Sequence, residues 1–191
     1  MSNIFLTSDT HFGHENILTF TRKDGTLLRP GFKDIKDHDL ELIKRWNYVV
    51  GPNDKVYHLG DVGFKSFWYL KNIFDQLNGT KVLIKGNHDN FRLEQYAQIF
   101  KDVRGTHVLD KIVMSHVPIH PYSLDRWIGN VHGHLHENVI TEEKTHISTM
   151  TGDSIQRSIP DKRYLNVCVE HTNYTPVPFE EVRKHYEDIN I

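Results

Sequence analysis

The sequence predicts an α/β layered fold, on three observations. Short apolar runs alternate with amphipathic stretches, several of those runs stop at a potential metal ligand, and 191 residues are enough to bury a core without disulfide staples. The simplest reading is one domain over 1–191, since no repeat or linker interrupts it. Cys168 is the only cysteine, which rules out an intrachain disulfide and sets aside a cysteine-based zinc site.

The elements follow in order. "NIFLTS" reads as a buried strand over 3–8 that ends at Asp9. Polar, turn-rich sequence runs to about Asp34, a plausible N-cap for a helix with Ile35, Leu42, Ile43, Trp46, Val49 and Val50 at helical spacing. "VYHLGD" is a short strand ending at Asp61. Phe67, Leu70, Phe74 and Leu77 mark a second amphipathic helix, closed by Gly79. "KVLIKGNHD" is a third strand running into a glycine turn, and a weaker helix is expected over 91–99. "GTHVLDKIVMSH" reads as a hairpin whose second strand ends near His116, and "NVHGHLH" is strand-like. Residues 141–163 are polar and without period, so an exposed loop is expected there. "YLNVCVE" is a strand, and "PFEEVRKHYEDI" is a C-terminal helix begun by Pro178.

Charge narrows the function. Lys+Arg total 23 against Asp+Glu 25, a net charge of −2, which is not the basic footprint of a protein that grips an extended nucleic acid. A short nucleotide stays open, because bound metal ions add positive charge that the count omits. No signal peptide and no run near the roughly 20 apolar residues of a spanning helix is seen, so a cytoplasmic protein without membrane partners is expected. Histidine is unusually frequent: 14, against 10 Phe and 8 Tyr.

Five clusters sit where proposed strands end: "DTH" (Asp9, His11), "GD" (Asp61), "GNHD" (Asn87, His88, Asp89), "SH" (His116) and "GHLH" (His134, His136). The candidate metal ligands are Asp9, His11, Asp61, Asn87, His116, His134 and His136. A single ion cannot use all seven and keep positions open for substrate, whereas two ions sharing a carboxylate can. Mixed nitrogen and oxygen ligation without thiolate suits Mn, Fe, Zn, Co or Ni better than Ca or Mg.

In these five ordered blocks the chain resembles the calcineurin-like metallophosphoesterases. That resemblance implies a four-layer α/β/β/α sandwich, two mixed β-sheets flanked by helices, with two divalent transition-metal ions at its mouth, manganese favoured. It implies Asp9, His11 and His136 at one ion, Asn87, His116 and His134 at the other, and Asp61 bridging. It further implies His88 as a non-ligand catalytic residue held by Asp89. "YLNVCVE" looks like the strand closing the second sheet. The implied activity is hydrolysis of phosphate esters, most simply diesters of small or nucleotide-like substrates. Monoester or pyrophosphate hydrolysis on the same site is the alternative, and a non-catalytic scaffold is disfavoured because no ligand is missing. A β-lactamase-type metallohydrolase would leave "GNHD" unexplained.

Other residues are weighed singly. His14 is expected within reach of the site, where it orients substrate or supports a ligand, and His132 is expected as a support, set off by a turn at Gly133. His58 is read as a packed strand residue, and His120 leans to structure. Arg22, Arg29 and Arg126 are candidates for substrate phosphate, each against the bland reading of an ordinary surface arginine. The segments 19–33 and 141–163 are the expected specificity elements. Neither substrate identity nor oligomeric state is set by the sequence.

Overall fold

The structure, a computed structural model, describes residues 2–147 and 154–187. Its strands are β1 (Ile4–Thr7), β2 (Lys55–His58), β3 (Thr80–Ile84), β4 (Asp102–Arg104), β5 (Thr106–Leu109), β6 (Ile112–Ser115), β7 (Gly129–His132), β8 (Thr141–Ile147), β9 (Ser154–Pro160), β10 (Tyr164–Asn166) and β11 (Val177–Pro178). Its α-helices are α1 (Ile35–Val49), α2 (Phe67–Gln76), α3 (Leu93–Tyr96) and α4 (Phe179–Glu187).

Two mixed sheets form an α/β sandwich, the class expected from the sequence. The first has the order β11-β1-β2-β3-β4, parallel throughout except for β11. The second has the order β10-β7-β6-β5, in which only the β5–β6 hairpin is antiparallel. Alternation along the strands divides the core in two. Phe5, Val56 and Leu83 face a cluster with Leu42 and Trp46 of α1 and Leu70, Ile73 and Phe74 of α2. Their neighbours Leu6, Tyr57, Val82 and Ile84 face the other way, against Ile112, Met114 and Val131 of the second sheet. The helix α4 adds Phe179, Val182 and Tyr186 to that intersheet cluster. Asp34 caps α1 as expected, its Oδ1 accepting from the N–H groups of Lys36 and Asp37, both at 2.9 Å.

Three expectations change. The segment 141–163 is not a loop but carries a hairpin of β8 on β9, paired from Thr141↔Pro160 to Ile147↔Ser154. Its strands expose side chains on both faces, so the apolar–polar alternation that betrays a half-buried strand is missing from their sequence. The expected 91–99 helix shrinks to one turn, α3. The strand expected over 164–170 stops at Asn166; beyond it the chain crosses to the first sheet, where Cys168 bridges Ser8. Positions 148–153, and 188 and 189 of the expected C-terminal helix, lie outside the described residues. No helix among the described residues is long and apolar enough to cross a membrane.

Candidate metal centre

All five clusters follow the carboxyl end of a strand. β1, β2 and β3 are mutually parallel and deliver Asp9–His11, Asp61 and Asn87–Asp89 at one edge. β6 and β7 are parallel and deliver His116, His134 and His136. The loops are stitched together by backbone bonds: Asp9 N–H donates to Gly60 O at 3.0 Å, His11 N–H to Asp61 O at 3.1 Å, and Gly133 N–H to His116 O at 2.9 Å. Gly60 takes φ +94°, and a Cβ there would stand 2.6 Å from the Gly86 backbone, so two ligand loops touch main chain to main chain. A Cβ at Gly133 would lie 2.3 Å from Asp9 Oδ2, in the space the ligand carboxylate occupies.

Backbone strain gathers at the same residues. Asp9, His11, Asp61, His134 and His136 all sit in the left-handed region, with φ between 49° and 68°. Such conformations cost on the order of 1–3 kcal/mol each and persist only where surrounding bonds over-determine them.

Six of the seven candidates converge. Asp9, His11 and His136 form one tight group of potential ligand atoms, and Asp9, Asp61 and His116 form another. Asp61 Oδ2 lies 3.5 Å from His116 Nε2 and 3.9 Å from His11 Nε2, between the two groups. Asn87 Oδ1 is 2.8 Å from His116 Nε2. His134 stands beside the groups rather than in them: its ring is 5.1 Å from that of His116, and its N–H donates to Asp9 Oδ2 at 2.9 Å.

The donor set fits a cation. Asp9 Oδ2 is saturated, accepting from Ser8 Oγ at 2.5 Å, His134 N and Cys168 Sγ at 3.1 Å. Asp9 Oδ1 and His11 Nε2, 3.7 Å apart and buried, have no hydrogen-bond partner. Although burial works against its charge, the nearby imidazoles of His11, His116 and His136 hold the Asp9 carboxyl well below its ordinary pKa. Burial pushes the pKa of His11 down, favouring the neutral ring. Two buried lone-pair donors facing each other without a proton are costly, and a divalent ion is what relieves them.

Hydrogen bonds on the far nitrogens fix the presented ones. His136 Nδ1 lies 3.0 Å from Glu170 Oε1, and His116 Nδ1 lies 2.7 Å from Leu59 O, so both donate and leave Nε2 for a ligand. His11 Nδ1 pairs with His14 Nδ1 at 3.0 Å. His14 is held neutral, its pKa lowered to about 4 chiefly by burial, so one ring donates and the other accepts in that bond.

The expectation that Asp89 holds His88 is corrected. Asp89 is buried and its carboxylate accepts from the main-chain N–H groups of Asp61, Val62 and Gly86 at 3.0, 3.0 and 2.7 Å. It locks the "GD" loop onto the "GNHD" loop instead. Its three acceptor bonds go to backbone amides that the sequence pattern does not reveal. His88 itself is exposed at the rim, with its ring 5.0 Å from Phe64, while its main-chain N–H donates to Asp61 Oδ1 at 3.0 Å.

Sequence reasoning missed Glu170 and misread Arg29. Arg29 is 1% exposed and does not face substrate. It donates to the carbonyls of Asp9 and Thr10 at 2.5 and 2.9 Å, lies 3.0 Å from His38 Nε2, and pairs with Glu170 Oε1 at 2.7 Å. It thus braces the strained Asp9 backbone and, through Glu170, the His136 ring. Burial opposes the Glu170 charge, but Arg29 and His136 hold its pKa at about 2. Glu170→Gln, which keeps shape and removes charge, is expected to lower metal affinity at one of two sites by about 10–100-fold. Titration calorimetry reads this, and unchanged affinity at both sites refutes it. Glu170 follows no motif; a buried acid in "NVCVEH" was the available signal.

The remaining candidate histidines and Arg22 make bonds within the scaffold. His58 is buried and bonds Thr10 Oγ1 at 2.8 Å, its pKa lowered by burial to about 3. His132, also buried, donates to Gly133 O at 2.8 Å, which fits the expected turn. His120 caps a short 3-10 turn by accepting from Tyr122 N–H. Arg22 donates to Leu27 O and Leu28 O within its own loop. Arg126 is exposed.

Fold and site together define an α/β sandwich protein with a candidate metal centre at its strand ends. The uncharacterized protein MJ1445 of Methanocaldococcus jannaschii is 35% identical over 191 residues, covering 98% of this chain and 93% of that protein. The chain belongs to the same family as MJ1445. The Gene 66 proteins of Mycobacterium phages L5 and D29 are 36% and 37% identical over 92 and 95 residues, 47% of this chain and 41% of each phage protein. The crystal structure of a protein of unknown function from Aquifex aeolicus, AQ665, shares the fold with a TM-score of 0.66 at 23% identity, covering 96% of this chain and 99% of that one. No family model matches the sequence.

Proposed function

We propose that this chain is a calcineurin-like metallophosphoesterase, a phosphodiesterase for small or nucleotide-like substrates that depends on two divalent transition-metal ions. One observation carries the reading: four strand ends converge two buried carboxylates and three imidazoles, with Asp9 Oδ1 and His11 Nε2 left unpartnered. The ordered sequence blocks that resemble the family add to it. Asp9, His11 and His136 would hold one ion, and Asn87, His116 and His134 the other, with Asp61 between. Bound ions supply Lewis acidity toward phosphate oxygens and a water acidic enough to react at neutral pH. Manganese is the first ion to test, then Fe, Zn, Ni and Co.

The protein's own groups do the rest. Asp89 and Arg29 fix the ligand loops before substrate arrives, so their reorganisation is not a cost of the reaction. Exposed His88 stands free of the ligand set, where an imidazole can give a proton to a leaving alkoxide. The test compares bis-(p-nitrophenyl) phosphate with p-nitrophenyl phosphate and pyrophosphate, in Mn²⁺ and in chelator. Preferential diester hydrolysis, lost in chelator and restored by Mn²⁺, is expected. Failure to hydrolyse any of them with any of the five metals refutes the reading.

A further inference from the structure

A row of rings runs beside the ligand cluster, and its two phenyl groups take no part in the chemistry above. Phe20 meets His14 edge-on at 5.6 Å, His14 stacks on Phe64 at 4.1 Å, and Phe64 lies 5.0 Å from His88. Phe20 and Phe64 are 43% and 40% exposed, whereas Phe5, Phe12, Phe67, Phe74, Phe100 and Phe179 are buried. Two phenyl rings open to solvent at the rim of a polar site leave apolar area that a ligand can cover. Beside Phe64 a depression of about 250 Å³ is lined by Gly13, His14, Glu15, Asn16, Phe64 and Lys65. Lys65 donates to Glu15 at 2.7 Å, so its charge is matched and the depression is not an anion pocket. It suits a neutral group with a flat face and a polar edge.

We propose that Phe20, His14 and Phe64 form a stacking shelf for the organic part of the substrate, a planar heterocycle such as a nucleobase. This deepens the phosphodiesterase reading and rests on it. The direction follows from Phe64, whose ring lies 5.0 Å from that of His11, a candidate ligand, and 5.0 Å from that of His88, the candidate proton donor. A leaving group whose oxygen faces His88 extends its organic part over Phe64. Stacking of a base on an aromatic ring is tolerant of base identity, so the shelf selects planar over aliphatic groups rather than one base over another.

Adenosine 5′-monophosphate and ribose 5-phosphate carry the same phosphate on the same alkoxide and differ by the base. Their inhibition constants against bis-(p-nitrophenyl) phosphate hydrolysis, measured on the full chain with Mn²⁺, read the shelf directly. The nucleotide is expected to bind about tenfold or more tightly than the sugar phosphate in the wild type, the scale of one stacked base. Phe64→Leu, which keeps bulk over His11, is expected to bring the ratio near one, and Phe20→Ala to reduce it, with manganese content held. A wild-type ratio near one, or a ratio that survives both substitutions, overturns the shelf. If the wild type hydrolyses no phosphate ester, the phosphodiesterase reading fails and the shelf falls with it, an outcome distinguished by the absent hydrolysis.

Discussion

Asp61→Asn is expected to weaken both metal positions at once and to lower kcat/KM by about 10³-fold or more, the upper scale for loss of one preorganised charged group. Asp61 Oδ2 lies between His11 Nε2 and His116 Nε2, so its charge serves both ligand groups. Burial opposes that charge, but the hydrogen bond and charge of His116 keep the carboxyl pKa below its ordinary value. The amide oxygen of Asn can still accept from His88 N–H, so the loop keeps its bond while the charge is gone. Without metal the variant should therefore melt at or slightly below the wild-type temperature, because the fold favours the Asp61 charge that the substitution removes. With Mn²⁺ the wild type gains stability by mass action and the variant does not. Differential scanning fluorimetry in chelator and in Mn²⁺ separates these outcomes. A variant that keeps the full Mn²⁺-dependent shift would refute a shared role for Asp61.

His88→Ala is expected to cost about 10²–10⁴-fold on substrates with alkyl leaving groups and far less on p-nitrophenyl esters, because nitrophenolate departs without a proton. Metal content and melting temperature should hold, since the side chain is exposed and the contact with Asp61 is made by the main-chain N–H. Steady-state kinetics on a leaving-group series is the measurement. Equal loss across the series would mean that His88 positions substrate rather than donating a proton.

Much of this was legible in the residues. Period and capping chemistry placed α1 behind Asp34, and short apolar runs placed β1, β2 and β3 ahead of their ligand loops, because each of those signals is local. The hairpin β8–β9 was not legible, since neither of its faces is buried and nothing imposes alternation on its sequence. Glu170 was hidden for a different reason. It reaches His136 only because the chain after β10 leaves one sheet and bridges Ser8 on the other, a crossing no local pattern encodes. The family resemblance implied that Asp89 holds His88, but its partners are main-chain amides, two of them 27 and 28 residues away along the chain. Arg29 read as an exposed arginine and no more than a candidate for substrate phosphate, because its burial depends on Glu170 and on carbonyls of the Asp9 loop.

The most direct measurement is a metal count on the full chain. The protein is stripped with chelator, reloaded with Mn²⁺, freed of excess ion and analysed by mass spectrometry. About two equivalents per chain are expected in the wild type, with Asn87→Ala keeping one and Asp61→Asn losing affinity at both. A wild-type chain that holds no metal and hydrolyses phosphate esters undiminished in chelator would contradict the binuclear centre outright.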